Sequence, residues 1–195
     1  MHSFANSSTL DFLRARHSTP ALQLGEPGPD APQLRALLEA AIRVPDHGKL
    51  VPWRLVLLHG ADRLVYGERL AQLHARVDPH VSPQKLSKER DRFEAAPLTI
   101  AVIARVEENH PKIPAQEQLL SAGCVAHNLL IGAQSLGYGA QWLTGWSAYS
   151  CEAGELLGLR RNERLIAYLH IGTVRGATPE RERPLPGDIV STWRT

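Results

Sequence analysis

The chain has 195 residues, of which 43% are hydrophobic and 22% are charged, the composition of an ordinary globular protein. Its formal net charge is only +2, and the basic residues are spread along the chain, which argues against a nucleic-acid-binding surface. Cys124 and Cys151 form no CxxC motif, so we expect both to be reduced. Residues 1–8 lack a targeting pattern, and no segment approaches the roughly 18 apolar residues of a membrane span. We therefore expect a cytoplasmic protein.

The first half of the chain contains patterns that predict four helices and two strands. Asp30 and Gln33 form a capping box that begins the second helix, and Pro45 stops that helix. Asp62 is expected to cap the third helix. The continuous apolar run from Leu98 to Ala104 is typical of a buried strand. The predicted helices are about 9–16, 30–43, 62–75 and 82–93, and the predicted strands are 53–58 and 98–104.

The second half contains the longest predicted helix, from Pro114 to about Leu136. Its residues are apolar nearly all round, so we expect it to be central rather than superficial. Gly137 ends it. Strands are predicted at 139–144 and 165–171, and a short helix with a Ser150 cap at 150–157.

The order of these elements indicates an α+β fold. Helices and strands mix without strict βαβ alternation, which favours a central mixed or antiparallel sheet flanked by helices. We expect one domain over residues 1–174. The tail at 175–195 combines prolines with apolar residues that have few local partners, so we expect it to be an arm that packs on a partner subunit.

Several common catalytic motifs are absent from the sequence. It contains no GxGxxG dinucleotide fingerprint, P-loop, HExxH motif or GxSxG elbow. The histidines have no zinc spacing, and His74 with His80 makes a weak ligand pair, so no metal site is predicted. Cys124 and His127 share a helix face, but a core cysteine and a satisfied histidine explain this pair more simply than a nucleophile does. The chemistry, if any, must lie elsewhere.

The first of three remaining clusters runs from Arg14 to Thr19, directly after the first helix. It holds two arginines, one histidine and two hydroxyl side chains. Arginine offers a planar fork to phosphate oxygens, and the hydroxyls add donors. Favourable charge at a helix C-terminus explains the cluster more simply when these residues are taken alone. Both interpretations remain open on these residues alone.

The other two clusters also allow a structural or a functional interpretation. The segment from Arg43 to Trp53 places Arg43, His47 and Lys49 between two prolines, as either a structural turn or one wall of a binding site. The segment from Gly137 to Trp146 combines glycines with two tryptophans. It is either a core strand with both indoles buried or a strand whose glycines let a planar ligand approach the backbone.

Taken together, the three clusters resemble the nitroreductase family of FMN-dependent oxidoreductases, and most closely its short NAD(P)H nitroreductase subgroup. The resemblance covers about residues 12–173. It is carried by the order and spacing of the matching motifs rather than by any one of them. These motifs are Arg16-His17-Ser18, Arg43-Val-Pro-Asp-His47 up to Pro52-Trp53, Glu107-Glu-Asn-His110, Glu117-Gln118 with Ser121-Ala-Gly-Cys124, Gly137-Tyr-Gly139 and Trp142-Leu-Thr144-Gly145.

The resemblance implies a homodimer with FMN at the subunit interface and NADH or NADPH as electron donor. Hydride would pass through flavin N5 in a ping-pong cycle to an electron-poor acceptor such as a nitroaromatic or quinone, with no dedicated catalytic residue in the protein. The FMN-binding residues implied are Arg16, His17, Ser18, Arg43, His47, Trp142, Leu143 and Thr144, with Lys49 as a further candidate. Nicotinamide contacts are implied at 132–137, although a helix interior offers few free donors.

Three positions depart from the subgroup pattern. His17 stands where an arginine is common, which would make one charge near the phosphate depend on pH. Leu143 stands where an arginine is common, which removes a charge from beside the flavin. Ala115 replaces an aromatic residue, which would widen the pocket. The substrate preference is therefore left open.

Two other functions are compatible with the sequence. The first is a flavin-binding protein for flavin storage, sensing or a specialised reduction, without general nitroreductase turnover. The second is an interaction module whose basic loops bind a protein partner. Loss of FMN retention in an Arg16→Ala, His47→Ala variant would separate the flavin hypotheses from the interaction module.

Overall fold

The computed structural model describes residues 7–178 and 180–194, in which helices cover both faces of a five-stranded sheet. The absence of a targeting pattern was expected from residues 1–8, and of these, residues 1–6 lie outside the described range. Within the described range, no helix has the length and hydropathy needed to cross a bilayer.

The described residues form seven α-helices and five strands. The helices are α1 (Ser7–Ala15), α2 (Ala31–Ala41), α3 (Gly60–Val77), α4 (Pro83–Ala95), α5 (Ala115–Ser135), α6 (Cys151–Leu156) and α7 (Pro186–Ile189), and the strands are β1 (Leu24–Gly25), β2 (Trp53–His59), β3 (Leu98–Arg105), β4 (Gly139–Leu143) and β5 (Glu163–Val174).

Strand β5 is the centre of the sheet. It pairs with β3 along one side, and β2 lies beyond β3. Along its other side β5 pairs first with β4 and then, at its end, with the two-residue β1. All four pairings are antiparallel, so the predicted α+β class is confirmed in its antiparallel form. The carboxyl end of β4 therefore lies at a sheet edge, beside β5.

The core is divided between the two faces of the sheet. On one face, Ile100 and Val102 of β3 pack in a cluster that includes α2 and α5 residues. On the other face, Ala101 and Ile103 pack with side chains of α3, α4 and α6. Because helices cover both sides, β3 is buried along nearly its whole length. This explains why its sequence is continuously apolar rather than alternating.

The helix starts follow the predicted capping pattern with one exception. The Asp30 side chain accepts from the Gln33 amide at 2.8 Å, and the Gln33 side chain accepts from the Asp30 amide at 3.0 Å, which confirms the capping box. The predicted Asp62 cap is wrong, because α3 begins earlier, after His59, and that residue makes no side-chain cap. Asp62 instead lies in the first turn, where its charge favours the positive end of the helix.

Helix α5 is buried on one side only within the single chain. Ala122 and Val125 face the core, whereas the Leu120 side of the helix is open, with that residue 60% exposed. Cys124 and His127 are exposed on the same side, so the prediction of a core cysteine is wrong. Small residues on several sides of α5 make the sequence look apolar all round, although in the structure only the side facing the sheet and α2 is buried. A partly apolar stripe is left uncovered.

The tail after β5 ends in apolar side chains that the chain itself does not cover. Val190 and Trp193 are 69% and 84% exposed, and Leu185 and Ile189 are similarly open. Among the described residues of this tail, the one regular element is a one-turn helix, α7. Apolar groups left in water along a short extended segment are typical of an element that packs on another surface.

Candidate functional site

The segment from Arg16 to Ser18 has no regular secondary structure and lies between β4 and the end of α5. The Thr19 amide donates to the Ala140 carbonyl at 3.1 Å, which aligns the segment with β4. The Gln134 side-chain amide donates to the His17 carbonyl. These two contacts fix the backbone of the first cluster against the start of the strand whose far end carries the third cluster.

The polar side chains of this segment point to one locality. The Arg16 Nη1 atom lies 3.4 Å from Ser18 Oγ. His17 donates through Nδ1 to the Ala15 carbonyl at 3.1 Å, and no hydrogen bond from the described residues occupies its Nε2 atom. All three side chains are half-buried. The cluster therefore has a guanidinium, an imidazole and a hydroxyl held at one place.

A surface cavity of about 260 Å³ opens beside this cluster, lined by Arg16, His17, Thr19 and residues from the end of α5 to the start of β4. The Thr19 hydroxyl is buried and has no hydrogen-bond partner among the described residues. A Cβ atom at Gly139 would lie 3.0 Å from that hydroxyl and 2.7 Å from Val174. The cavity thus has positive charge in its wall and an unpartnered hydroxyl buried directly behind that wall, a combination that suits an anionic ligand.

Arg183, which is not among the residues predicted from the sequence, adds a second guanidinium to this locality. Its Nη2 atom donates to the Arg16 carbonyl at 3.3 Å. The side chain also pairs with Glu180 at 2.9 Å and is about half exposed. It comes from the tail, 167 positions away in sequence. No local signal distinguishes it from Arg181, because only the course of the tail brings it here.

The loop from Pro45 to Pro52 has an unusual backbone. Gly48, Lys49 and Val51 have φ values of 68°, 54° and 51°, in the left-handed region. Such a conformation is costly for a β-branched residue such as valine. Asp46 stabilises it, since its carboxylate accepts from the amides of Leu50 at 3.1 Å and Val51 at 2.9 Å. Backbone strain that is held in place in this way is characteristic of functional loops.

Two polar side chains of α5 hold the beginning of this segment. Ser121 Oγ donates to the Pro45 carbonyl at 3.0 Å. Asn128 donates through its side-chain amide to the Arg43 carbonyl at 3.3 Å. The backbone of the second cluster is therefore attached to the longest helix over about two turns.

The charged side chains of the loop are directed outward. Arg43, His47 and Lys49 are all exposed. His47 donates through Nδ1 to Glu117 Oε2 at 2.7 Å, so its ring is oriented by the first turn of α5. The loop presents three basic side chains away from its own chain's core.

The third cluster forms the end of β4 and the turn after it. Trp142 and Leu143 pair with Leu169 and Tyr168 of β5, and both are half-buried rather than fully buried. Thr144 lies just beyond the strand. Gly145 follows with φ 74° and ψ −169°, a conformation open almost only to glycine. The carboxyl end of β4 thus leaves its backbone at a sheet edge with no bulky residue at the turn.

The structure brings two of the three clusters together within one chain. The first cluster lies against the beginning of β4, and residues Trp142–Thr144 of the third cluster lie at the end of the same strand. The second extends along α5 from Asn128, which holds Arg43, to Glu117, which holds His47. At about 1.5 Å per residue, Glu117 lies on the order of 25 Å along the helix from Gln134, which holds the first cluster. A single chain therefore does not place His47 beside Arg16.

The segment at 132–137 has little spare hydrogen-bonding capacity. The Leu136 amide donates to Gly132 at 3.1 Å, and the Gly137 amide donates to Gln134 at 2.9 Å. A Cβ atom at Gly132 would lie 2.6 Å from Leu37, so this glycine allows α2 to pack against α5. Nicotinamide binding at 132–137 stays a prediction.

Comparison with known proteins gives consistent sequence relatives. A family model described as "Nitroreductase family" matches residues 13–173. A Haemophilus influenzae protein named "Putative NAD(P)H nitroreductase" is 36% identical over 164 residues, which cover 84% of this chain and 87% of the relative. The Escherichia coli protein named "Putative NAD(P)H nitroreductase YdjA" is 34% identical over the same shares of the two chains.

Solved structures show the same fold. A nitroreductase-like protein from Bacillus cereus superposes with a TM-score of 0.79 at 22% identity, over 98% of each chain. A structure from Desulfovibrio desulfuricans, described as a complex with FMN, has a TM-score of 0.74 at 19% identity and covers 96% of this chain and 98% of its own. Together with the family match, these likenesses show that the chain belongs to the nitroreductase family and is an oxidoreductase.

Proposed function

We propose that the protein is an FMN-dependent NAD(P)H oxidoreductase. The observation that carries this proposal is the cavity beside Arg16, with the buried, unpartnered hydroxyl of Thr19, at one end of the strand that ends in Trp142–Thr144. The FMN complex described for the D. desulfuricans structure supports the choice of ligand. Another solved structure of the same fold, described as an FMN- and NADPH-dependent nitroreductase, supports it too. When bound, FMN would supply the chemistry of hydride transfer between NADH or NADPH and an electron-poor acceptor such as a nitroaromatic or quinone.

The first cluster would hold the phosphate end of FMN. Arg16 and Arg183 would supply permanent positive charge, and Ser18, beside Arg16, would supply a hydroxyl donor. The Thr19 hydroxyl would become a further donor if a ligand reached the wall behind which it is buried. His17 adds an imidazole whose Nε2 atom remains available. This set satisfies the main requirement of a phosphate, which is several convergent donors with excess positive charge.

The end of β4 would lie beside the flavin ring. Trp142 and Leu143 lie at the edge of the sheet, and Gly145 lets the chain turn away without a side chain in the path of a planar ligand. Because Leu143 carries no charge, contacts from this strand would come mainly from backbone groups. The ring environment would then be only weakly positive on this side, and Arg43 and His47 would have to supply the remaining charge.

We infer that Arg43 and His47 reach the flavin of a second subunit. His47 is held at Glu117, on the order of 25 Å along α5 from the Gln134 contact that holds the Arg16 segment, which is longer than one flavin mononucleotide. Arg43 belongs to the same loop and would reach the partner's flavin with it. The exposed stripe of Leu120, Cys124 and His127 supplies a surface on α5 that a second copy would cover. Residues 175–195, with the exposed Trp193, would form an arm of this single domain that packs on the partner. The proposed unit is a homodimer with two shared FMN sites.

Mixing two inactive variants tests this arrangement. Arg16→Ala and His47→Ala homodimers should each bind FMN poorly. In a mixed dimer, one site would carry both substitutions and the other neither, so statistical mixing should restore about a quarter of the sites. FMN binding after unfolding and refolding the two variants together, against each variant refolded alone, measures this directly.

The mixing experiment tests separately whether two subunits share each site and whether FMN is the cofactor. Restoration near that level would support sites shared between subunits. FMN binding by the unmodified protein without restoration in the mixture would mean that one chain supplies both residues. Failure of the unmodified protein to bind FMN would overturn the proposed cofactor.

A further inference from the structure

A buried histidine–glutamate pair lies behind the strand end that is proposed to face the flavin. His74 of α3 is 3% exposed, and Glu89 of α4 is 8% exposed. His74 donates through Nδ1 to Glu89 Oε2 at 2.6 Å. A buried polar pair of this kind has to be satisfied internally, and it fixes the relative position of the two helices. Neither residue belongs to the three clusters described above.

The His74 ring stacks on Trp146. The ring centroids are 4.1 Å apart, and the planes make an angle of 28°. The indole Nε1 atom of Trp146 is buried and has no hydrogen-bond partner among the described residues. The stack with His74 is therefore the main directional contact on the indole, and Glu89 orients the imidazole that makes it.

Trp146 is joined to the strand end by a short, tight turn. Gly145 reverses the chain between Thr144 and Trp146. Ser147 Oγ donates to the Thr144 carbonyl at 3.4 Å, and the Ser150 amide donates to the Trp146 carbonyl at 3.0 Å. A displacement of the indole would consequently move Thr144 and the end of β4.

Little free space remains to absorb such a displacement. The cavity between α4 and the strand end is about 20 Å³, enough for one water molecule, and Glu89, Leu143 and Thr144 are among its lining residues. Closely packed groups transmit small shifts to their neighbours instead of relaxing independently. The histidine–glutamate pair is thus mechanically coupled to the backbone at 142–144.

We propose that His74, oriented by Glu89, is a positioning residue that holds Trp146 and so sets the place of the 142–144 backbone beside the flavin ring. The proposal rests on the proposed function. His74 touches no reacting group, and its effect passes through Trp146. The pair would act on flavin binding and on the ring's environment rather than on the chemistry itself.

Three variants test the proposal. His74→Leu removes both the stack and the bond to Glu89, whereas Glu89→Gln keeps an oxygen that accepts from His74. Leu58→Ala is the control, because this buried residue lies on β2 and is separated from β4 by β3 and β5. Each variant is compared with the unmodified protein in Tm, FMN affinity, the visible circular dichroism of bound FMN, and hydrogen–deuterium exchange of the FMN-free protein.

The expected result is a separation of flavin effects from general destabilisation. His74→Leu should weaken FMN binding about tenfold, change the visible circular dichroism and speed exchange at 145–150. Glu89→Gln should stay within about twofold of the unmodified affinity. Leu58→Ala should lower Tm without a change in the flavin signal or in exchange at 145–150.

Two results would overturn the proposal. One is unchanged exchange and unchanged flavin dichroism in His74→Leu. The other is an equal change of the flavin signal in Leu58→Ala at the same loss of Tm. If the unmodified protein does not bind FMN, the proposed cofactor is wrong. This is measured first, before any variant is compared.

Discussion

His47 donates through Nδ1 to Glu117 Oε2 at 2.7 Å, which ties the strained basic loop to the first turn of α5. Both side chains are about half exposed, at 57% and 47%. Exposed ion pairs contribute little to the free energy of unfolding, roughly 0–1 kcal/mol. The pair is therefore better explained as an orienting contact for the imidazole than as a source of stability.

The first prediction concerns this orienting contact. Glu117→Ala should weaken FMN binding several-fold because His47 loses its fixed ring position, while Tm changes by no more than about 2 °C. Fluorescence titration with FMN and thermal denaturation measure the two effects. An unchanged FMN affinity would show that the orientation of His47 does not matter for binding.

The second prediction concerns the guanidinium supplied by the tail. Arg183→Ala should weaken FMN binding about tenfold, since a charge-assisted contact to phosphate is lost. Arg181→Ala is a matched control two residues away, which no observed side-chain contact connects to Arg16. Equal effects of the two substitutions would indicate a general electrostatic influence of the tail and not a phosphate contact by Arg183.

The third prediction concerns acid stability below pH 4.5. Arg54 donates twice to the fully buried Glu163 carboxylate, each time at 2.8 Å, and this contact lowers the pKa of Glu163 from 4.5 to about 2. The unfolded chain binds the proton first, so the stabilisation is complete above pH 4.5 and is lost as the pH falls towards 2. Urea unfolding across this range should show a smaller loss in Glu163→Gln than in the unmodified protein, because only the contribution of Glu163 is removed.

At neutral pH the same substitution should be costly. Glu163→Gln leaves Arg54 without its charge partner, and we expect a loss of about 2–4 kcal/mol in the free energy of unfolding at pH 7. A loss below about 0.5 kcal/mol would show that the pair is replaced by solvent without penalty.

The fourth prediction concerns a higher pH window. His170 is buried, and loss of solvation, followed by the charge of Arg92, lowers its pKa from 6.5 to about 3. The unfolded chain takes up this proton first, so stability should decline as the pH falls from 6.5 towards 3. His170→Asn keeps a polar atom for Thr99, whose hydroxyl lies 2.8 Å from His170 Nδ1, but it does not titrate. The free energy of unfolding of His170→Asn should therefore be nearly constant between pH 6.5 and 4.5. A decline equal to that of the unmodified protein would mean that a titratable group other than His170 is responsible.

Local patterns predicted most of the elements, because their signals lie within a few residues. The capping box at Asp30 and the apolar run of β3 are examples. Strand β1 could not be predicted in this way, since its two residues form a strand only by pairing with the distant end of β5. The His74–Glu89 pair could not be predicted from local sequence either, because each residue alone resembles an ordinary polar position on a surface helix.

The candidate site was predictable in composition but not in arrangement. Residue types along the chain indicated three clusters, at 14–19, 43–53 and 137–146, and the family resemblance narrowed them to Arg16–Ser18, Arg43–His47 and Trp142–Thr144. Their distribution over two ends of α5 follows from tertiary contacts, such as those of Glu117 and Gln134, which no single-chain pattern encodes. The exposure of Cys124 was missed for the same reason, since a helix with apolar and small residues on several sides does not reveal which side faces the sheet.

The central claim is that the protein binds FMN and uses it to oxidise NAD(P)H. The most direct test is the visible absorption spectrum of the protein loaded with FMN and freed of excess cofactor, recorded without oxygen before and after NADH or NADPH is added. We predict flavin bands that remain with the protein and bleach on addition of the nucleotide. Bands that persist unbleached with both nucleotides would identify a flavin-binding protein without this activity, and a colourless protein would contradict the cofactor itself.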